Sequence, residues 1–527
     1  MANATTKYLR LRFANTDDNW RVQTLIFFVL TLLTRLPFTS RFLFDHDSVQ
    51  FALALRKFDV YLHQPHPPGY FLYVLTGRVI DVVLQDANAS LVWISIVASA
   101  LAVAVIFNLG SALFGRRAGW WAALLALTSP MLWFYGEVAL TYVVGACFAG
   151  LTALLCWKLF QDDRRRLYLS PIVLGIGAGF RPDLLLFLFP LWICAVARLG
   201  WRQVAKLLLL LAATVALWFI PMLLATGGLT RYFLALWELW QYNNDRYSIW
   251  HAGLASRTDT ILTLVGVMSY GVGIGGVFIL LSIYGLIRSG EWRTIAKSKA
   301  LFLSLWIAPP LLFFVVVLIP PYKYAYGLIY LPALLLVVPS AVEHTLNRAG
   351  KIIRAADRIP RRSGSFILAS LVIINMIVFG LTESGYSVAA LRTHERILST
   401  IFSGIERNFP SASTIILGRQ RSTFSGYRHV QYYLPDYKVY LADQQTNIRG
   451  EKWHAFGARY GKTILSKEVE IPPSTRKIIF LVDPYFPEAD TDLTKMNLRQ
   501  IPLDNKYTLY YKDIPESASA KHRVDRK

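Results

Sequence analysis

Apolar residues gather into runs at 22–40, 91–113, 118–135, 138–160, 167–180, 184–199, 204–225, 261–287, 300–320, 327–342 and 366–383, and polar residues fill the connectors between them. A helix crossing the hydrocarbon layer needs about 20 apolar residues, fewer where short helices are buried in a bundle. The pattern therefore predicts an α-helical polytopic membrane protein with about 11 transmembrane helices. The stretch 69–86, GYFLYVLTGRVIDVVLQD, is as long as the shortest of these runs but carries Arg78 and Asp81. Each charge at mid-membrane costs roughly 2.5–3.5 kcal/mol on insertion scales, so this stretch is expected to lie in the interface as a helix that does not cross.

Charge sets the expected orientation. With 69–86 held out of the membrane, Arg116-Arg117, Arg164-Arg165-Arg166, Arg198/Arg202/Lys206, Arg288/Arg293/Lys297/Lys299 and the cluster from Arg348 to Arg362 share one side with Lys7, Arg10, Arg12 and Arg21. The positive-inside rule makes that side cytoplasmic. Segment 1–21 has no small-residue cleavage site and reads as a cytoplasmic tail. Residues 22–384 then form the membrane domain, with a first outer loop over 38–90.

The pattern changes beyond Glu383. Strand-like runs occur at 413–418, 437–442, 476–483 and 507–512, after a helical pattern over 387–408, and QYYLPDY suggests a second, shorter helix. Residues 385–527 are thus expected to be an extracytoplasmic α/β domain of ordinary size, acting as an acceptor-binding or lid domain, with a disordered tail over 516–527.

Composition narrows the class. The chain is 54% apolar, 14% aromatic and 17% charged. That is too apolar for a soluble enzyme of this size. The net charge of +22 sits mainly in short clusters between apolar runs. Such clusters are the habit of cytoplasmic loops, so no nucleic-acid partner is expected. Cys147, Cys156 and Cys194 lie inside apolar runs, which argues against a disulfide framework or a metal cluster.

Ionisable residues are concentrated in the first outer loop. Asp47 lies directly beyond the first span and opens an amphipathic helix, where a carboxylate can act as general base toward an acceptor hydroxyl or amine. Asp45 could do the same, and either could instead be a helix-capping acid. His63, His66 and the turn Pro67-Pro68-Gly69-Tyr70 follow; His66 could hold a phosphate oxygen or steer the acceptor, or the turn could simply lead the chain back to the interface. His63, His66 and a carboxylate could hold a divalent metal, though without a recognised ligand spacing, and no other cofactor is expected. Farther along, Glu137, Arg181 in FRPD and Tyr322-Lys323-Tyr324 are expected at the same outer surface. A cation there can offset the charge of a departing lipid phosphate, or snorkel toward head groups.

The order of these pieces resembles the GT-C superfamily of polytopic glycosyltransferases, which includes protein O-mannosyltransferases, lipid A aminoarabinose transferases and bacterial family 39-like transferases. The matching residues are Asp47-Ser48-Val49-Gln50-Phe51 and His66-Pro67-Pro68-Gly69-Tyr70, with weaker matches at Leu113 to Arg117, at 177–183 and at Tyr330-Leu331-Pro332. The resemblance implies a polyprenyl-phosphate sugar donor, a glycan, lipid or protein acceptor, inverting transfer, and Asp47 as catalytic acid/base. Ser48 stands where that pattern often has an acid, His66 where it often has lysine, and Asp45 is an additional carboxylate. The implied location is the plasma (inner) membrane. Two other classes fit a polytopic bundle: a transporter or flippase of a lipid-linked sugar, and a non-catalytic lipid-binding subunit. A transporter should carry charges near mid-membrane and two matching halves, whereas the polar residues here collect at one surface.

Overall fold

The computed structural model describes residues 2–248, 253–290, 297–317, 323–352, 361–418, 426–441, 474–482, 498–505 and 507–514. The chain enters with α1 (Ala2–Arg35), whose apolar portion continues the candidate span Asn19–Phe38. Asp45 then starts α2 (His46–Arg56): its side chain accepts from the Ser48 backbone N–H, and the Ser48 hydroxyl accepts from the Asp45 N–H. This capping box fixes where the helix begins.

Next comes α3 (Phe71–Leu84), the stretch expected to lie in the interface. Its 14 residues are too few to cross. At 1.5 Å per residue it rises about 21 Å, short of a roughly 30 Å hydrocarbon layer. Both charges that argued against its crossing find partners: Arg78 donates to the Ala54 carbonyl at 2.8 Å, and the Ser90 hydroxyl donates to Asp81 at 3.0 Å. Val79, Val82 and Val83 stay bare on its other face. Asp86 caps the following helix through the Ala89 N–H.

The membrane bundle continues with α4 (Ala87–Phe114), α5 (Arg116–Thr128), α6 (Pro130–Tyr135), α7 (Tyr142–Phe160), α8 (Leu169–Phe180), α9 (Asp183–Val196), α10 (Trp201–Thr226), α11 (Leu229–Tyr247), α12 (Gly253–Gly266), α13 (Gly275–Ser289), α14 (Lys297–Val316), α15 (Leu331–Ile352) and α16 (Arg361–Leu381). Each predicted apolar run is helical over most of its described length, but length separates the helices. Among the described residues six are long and apolar enough to cross, within α1, α4, α7, α10, α14 and α16, and the pair α12 and α13, bent by 108°, would make seven. The other expected spans fall on shorter or broken helices, except 327–342, which lies mainly in α15, 22 residues long but polar beyond Val342. Pro130 has no N–H to continue α5, and it splits the predicted 118–135 span at Ser129. The helix α8 is 12 residues long. Its successor α9 is 14 residues long. The chain is a multi-pass membrane protein whose central helices, α4 and α7, are largely buried by the others.

After the bundle, Ser387 caps α17 (Val388–Asn408), and α18 (Tyr427–Tyr433) lies between the first two strands. The sheet comprises β1 (Thr414–Gly418), β2 (Lys438–Leu441), β3 (Lys477–Phe480), β4 (Arg499–Pro502) and β5 (Thr508–Asp513), in the order β2-β1-β3-β5-β4. The first three strands run parallel, and β5 and β4 add antiparallel. Four strands coincide with the predicted runs. β4 falls outside the predicted runs because it is a short edge strand of Arg, Gln, Ile and Pro, with little apolar alternation to reveal it. The expected tail over 516–527 lies outside the described residues.

Two apolar cores result, one in the bundle and one between α17, α18 and the sheet. They interlock: Phe42 of the segment before α2 packs on the sheet core, while Tyr432 and Tyr433 of α18 pack on the bundle core.

The charge-derived orientation has a direct test. A cysteine replacing exposed Asp86 should react with a membrane-impermeant maleimide in intact cells, and one replacing exposed Arg165 should react only after permeabilisation. The reverse pattern would overturn the orientation.

Candidate active site

Three separate parts of the chain meet near the start of α2. Asp47 is the second residue of that helix, in its first turn. There the backbone N–H groups and the helix dipole favour a negative charge. Its Oδ2 receives a hydrogen bond from Lys323 Nζ at 3.3 Å, although the two residues stand 276 positions apart. Its Oδ1 lies 3.7 Å from His66 Nδ1. The Asp47, His66 and Lys323 side chains keep 18%, 15% and 29% exposure, so the cluster is recessed yet open to a ligand.

The turn carrying His66 is built to hold that ring in place. Asp59 closes the loop by a two-way backbone bridge with Gln64, and its carboxylate accepts from Arg231 at 3.0 Å. Tyr232 of α11 donates to the Pro68 carbonyl at 3.0 Å. Gly69 has φ +116°, and a Cβ there would come within 2.5 Å of the Met222 sulfur on α10, so only glycine fits. His66 itself lies against Phe51 and Tyr70, with ring centroids 5.3 and 4.8 Å away.

Arg181 sits at the C-terminal end of α8. Its guanidinium donates to both carboxylate oxygens of Asp183, at 2.9 to 3.1 Å, and to the Thr141 hydroxyl at 3.3 Å. It also lies 4.5 Å from the centre of the Tyr142 ring. Gly145 on α7 makes room for it, since a Cβ there would come within 2.8 Å of Arg181 Cδ. With these partners and 2% exposure, Arg181 does not touch Asp47, and its charge reaches His66 and Tyr70 through space.

The two loop carboxylates are driven apart electrostatically. Burial, and then the charge of Asp47, pushes the Asp45 carboxyl up to about 7. Burial also acts on Asp47, but Lys323 above all, with His66 and His46, outweighs it and holds that carboxyl well below the usual range. Lys323 responds in kind: burial opposes its charge, Asp47 favours it, and the ammonium is pushed up. Burial lowers His66, which leaves its imidazole neutral near pH 7. Paired acids whose environments push them in opposite directions are suited to different tasks. Asp45 caps α2, whereas Asp47 presents a persistent anion.

The remaining expected residues are distributed as follows. Tyr70 joins the cluster through His66. Tyr324 stacks on Tyr270 and contacts Tyr386, in an aromatic wall that also includes Tyr135, Tyr142 and Tyr326. His63 is buried at the end of a tight turn with φ 54°, and it helps shape the loop that presents His66. Glu137 is also buried; burial keeps its carboxyl well above the ordinary range despite the opposing charge of Arg35, and its backbone carbonyl accepts from the Ser40 N–H. Placed so, His63 and Glu137 support the loop from within. Tyr322 lies outside the described residues. Among the described residues, no group of three or more His, Cys, Asp or Glu is arranged to hold a metal ion.

Sequence reasoning missed Tyr326, whose ring centre lies 5.7 Å from the Arg181 guanidinium. Its signal was the alternation of tyrosines at 322, 324 and 326 around Lys323. It also missed Tyr427 and Arg428, which flank His46 from α18; nothing in their local sequence points across to the first outer loop.

Residues 66–224 match the family model described as dolichyl-phosphate-mannose-protein mannosyltransferase. Among solved structures, ArnT from Cupriavidus metallidurans bound to undecaprenyl phosphate is similar at a TM-score of 0.56 and 13% identity, covering 94% of this chain and 97% of that one. Its apo state is similar at a TM-score of 0.52 and 13% identity, covering 95% and 99%. The archaeal oligosaccharyltransferase AglB from Archaeoglobus fulgidus, in complex with an inhibitory peptide and a dolichol-phosphate, gives a TM-score of 0.44 at 13% identity, covering 93% and 74%. A search of the curated proteins found no match. The chain thus shares its fold with the ArnT structures, and residues 66–224 within its membrane bundle carry the segment that the mannosyltransferase family model describes.

Proposed function

We propose that this protein transfers a sugar from a polyprenyl-phosphate donor to a nucleophilic acceptor at the extracytoplasmic face of the inner membrane, with Asp47 as general base. The observation that carries the reading is the convergence of Lys323 and His66 on the Asp47 carboxylate in an open recess. The undecaprenyl phosphate in the ArnT structure agrees with the class of donor.

In the proposed reaction Asp47 takes the proton from the acceptor O–H or N–H as that atom attacks the anomeric carbon. The bond from that carbon to the phosphate oxygen breaks, and its electron pair leaves with the polyprenyl phosphate. Lys323 meets the growing negative charge, and neutral His66 can donate a hydrogen bond to it. Arg181, tied to Asp183, contributes field rather than contact. A single displacement of this kind inverts the anomeric centre. No cofactor enters the scheme.

Turnover on a panel of undecaprenyl-phosphate sugars tests the reading. Asp47→Asn keeps side-chain volume but loses the proton acceptor, and should lower kcat by at least about 100-fold in folded protein; wild-type turnover would contradict the assignment. The pH profile should separate base from cation. A base works only when deprotonated, so activity is lost as pH falls through its folded pKa. For Asp47 that limb should lie below the ordinary carboxylate value of about 3.9. Lys323→Ala removes the main lowering influence and should move the limb to higher pH; an unmoved limb would separate Lys323 from the base. Treatment with EDTA should leave turnover unchanged, and a loss restored by a divalent metal would contradict the metal-free scheme.

A further inference from the structure

The chain leading into α2 runs between two bodies, and its backbone alternates between them. At Ser40 it faces the bundle: its N–H donates to the Glu137 carbonyl at 2.9 Å, and its carbonyl accepts from Asn88 Nδ2 at 2.7 Å. At Thr39, Arg41 and Leu43 it faces the C-terminal unit. Arg392 donates to the Thr39 carbonyl at 3.1 Å, and the Arg41 N–H donates to Glu395 Oε1 at 2.7 Å. The Leu43 N–H donates to the Tyr433 hydroxyl at 2.8 Å, and the Leu43 carbonyl accepts from His429 Nε2 at 3.1 Å.

Arg41 and Phe42 form a bend, so the segment is not a regular strand, yet its backbone groups still turn to opposite sides, as the edges of a strand do. Here side chains of α17 and α18 take the place of a neighbouring strand. The side chains of the segment are gripped as well. Phe42 packs against Phe402 and Tyr433, Phe44 against His394, and His46 against Tyr427. Glu395 and His429 are 5% and 0% exposed, so water does not readily replace them as partners. The segment ends two residues before Asp45, the cap of α2, and four before Asp47.

We propose that the C-terminal unit sets the position of the base, with Glu395, His429 and Tyr433 as positioning residues that template the Thr39–Leu43 backbone and thereby fix the first turn of α2. The inference rests on Asp47 being the base. A buried N–H that loses its acceptor must find another, and the available adjustment is a shift of the segment with α2 attached. Displacement of a reacting group by about 1 Å can cost on the order of 100-fold in rate without affecting distant substrate contacts.

The test uses the full chain in lipid nanodiscs. Tyr433→Phe removes only the hydroxyl that accepts from Leu43 and keeps the ring against Phe42 and Phe402. Glu395→Ala removes the acceptor for Arg41, and Glu395→Gln retains an oxygen that can accept. Backbone hydrogen exchange over residues 41–48 should rise at least about ten-fold in Tyr433→Phe and Glu395→Ala. On undecaprenyl-phosphate sugars, kcat should fall at least about ten-fold while KM for the donor stays within about two-fold, with Glu395→Gln recovering most of the loss. Unchanged exchange in this segment, an unchanged kcat, or a fall in kcat matched by the fraction of unfolded protein would each overturn the proposal. An active Asp47→Asn protein would instead remove the base assignment and leave the exchange result standing, so the two failures are distinguishable.

Discussion

The Lys323–Asp47 contact joins the first turn of α2 to the segment before α15 and gives the site its charge. Its degree of burial decides what it can do. A fully exposed pair would be screened and worth about 1 kcal/mol or less, whereas a fully buried one would face a desolvation penalty of several kcal/mol. At 29% and 18% exposure the pair lies between these limits. The carboxylate stays ionised, and the ammonium remains accessible to a second anion. On the proposed reading the donor phosphate is that anion, and Lys323 bridges base and leaving group in one line of charge.

The rest of the architecture holds the members of this pair at the right separation. Asp47 inherits its place from the capping box of α2, and His66 from a turn braced by Asp59, Arg231, Tyr232 and Met222. Arg181 is locked into the α8–α9 turn by Asp183 and lies over Gly145, so its charge is fixed without direct contact with Asp47. The candidate site thus draws on helix ends and the turns between helices, positions that a rigid scaffold holds at its surface. The interlocking of Phe42 with the sheet core extends that scaffold to the C-terminal unit.

Much of this was legible in the sequence because it depends on local pattern. Apolar runs located the helices, Arg78 and Asp81 marked α3 as a helix that does not cross, and Asp47, His66 and Lys323 stood out as ionisable groups at the ends of apolar runs. What the pattern could not give was helix length inside the bundle, since a run such as 118–135 looks continuous until Pro130 breaks it. Nor could it distinguish Arg181, bound by its neighbour two residues on, from a cation free to meet a ligand. The edge strand β4 is too short and polar to announce itself. The grip of Glu395 and Tyr433 on the segment before α2 depends on contacts across hundreds of residues, for which local composition carries no signal.

In the proposed reaction Asp47 and Lys323 face the phosphate of a lipid-borne sugar. An experimental structure of the full chain in nanodiscs with undecaprenyl phosphate bound would show this arrangement outright. A phosphate oxygen should lie within about 3 Å of Lys323 Nζ, with the Asp47 carboxylate opening onto the same cavity. A phosphate held away from Lys323, or a cavity that Asp47 does not reach, would contradict it.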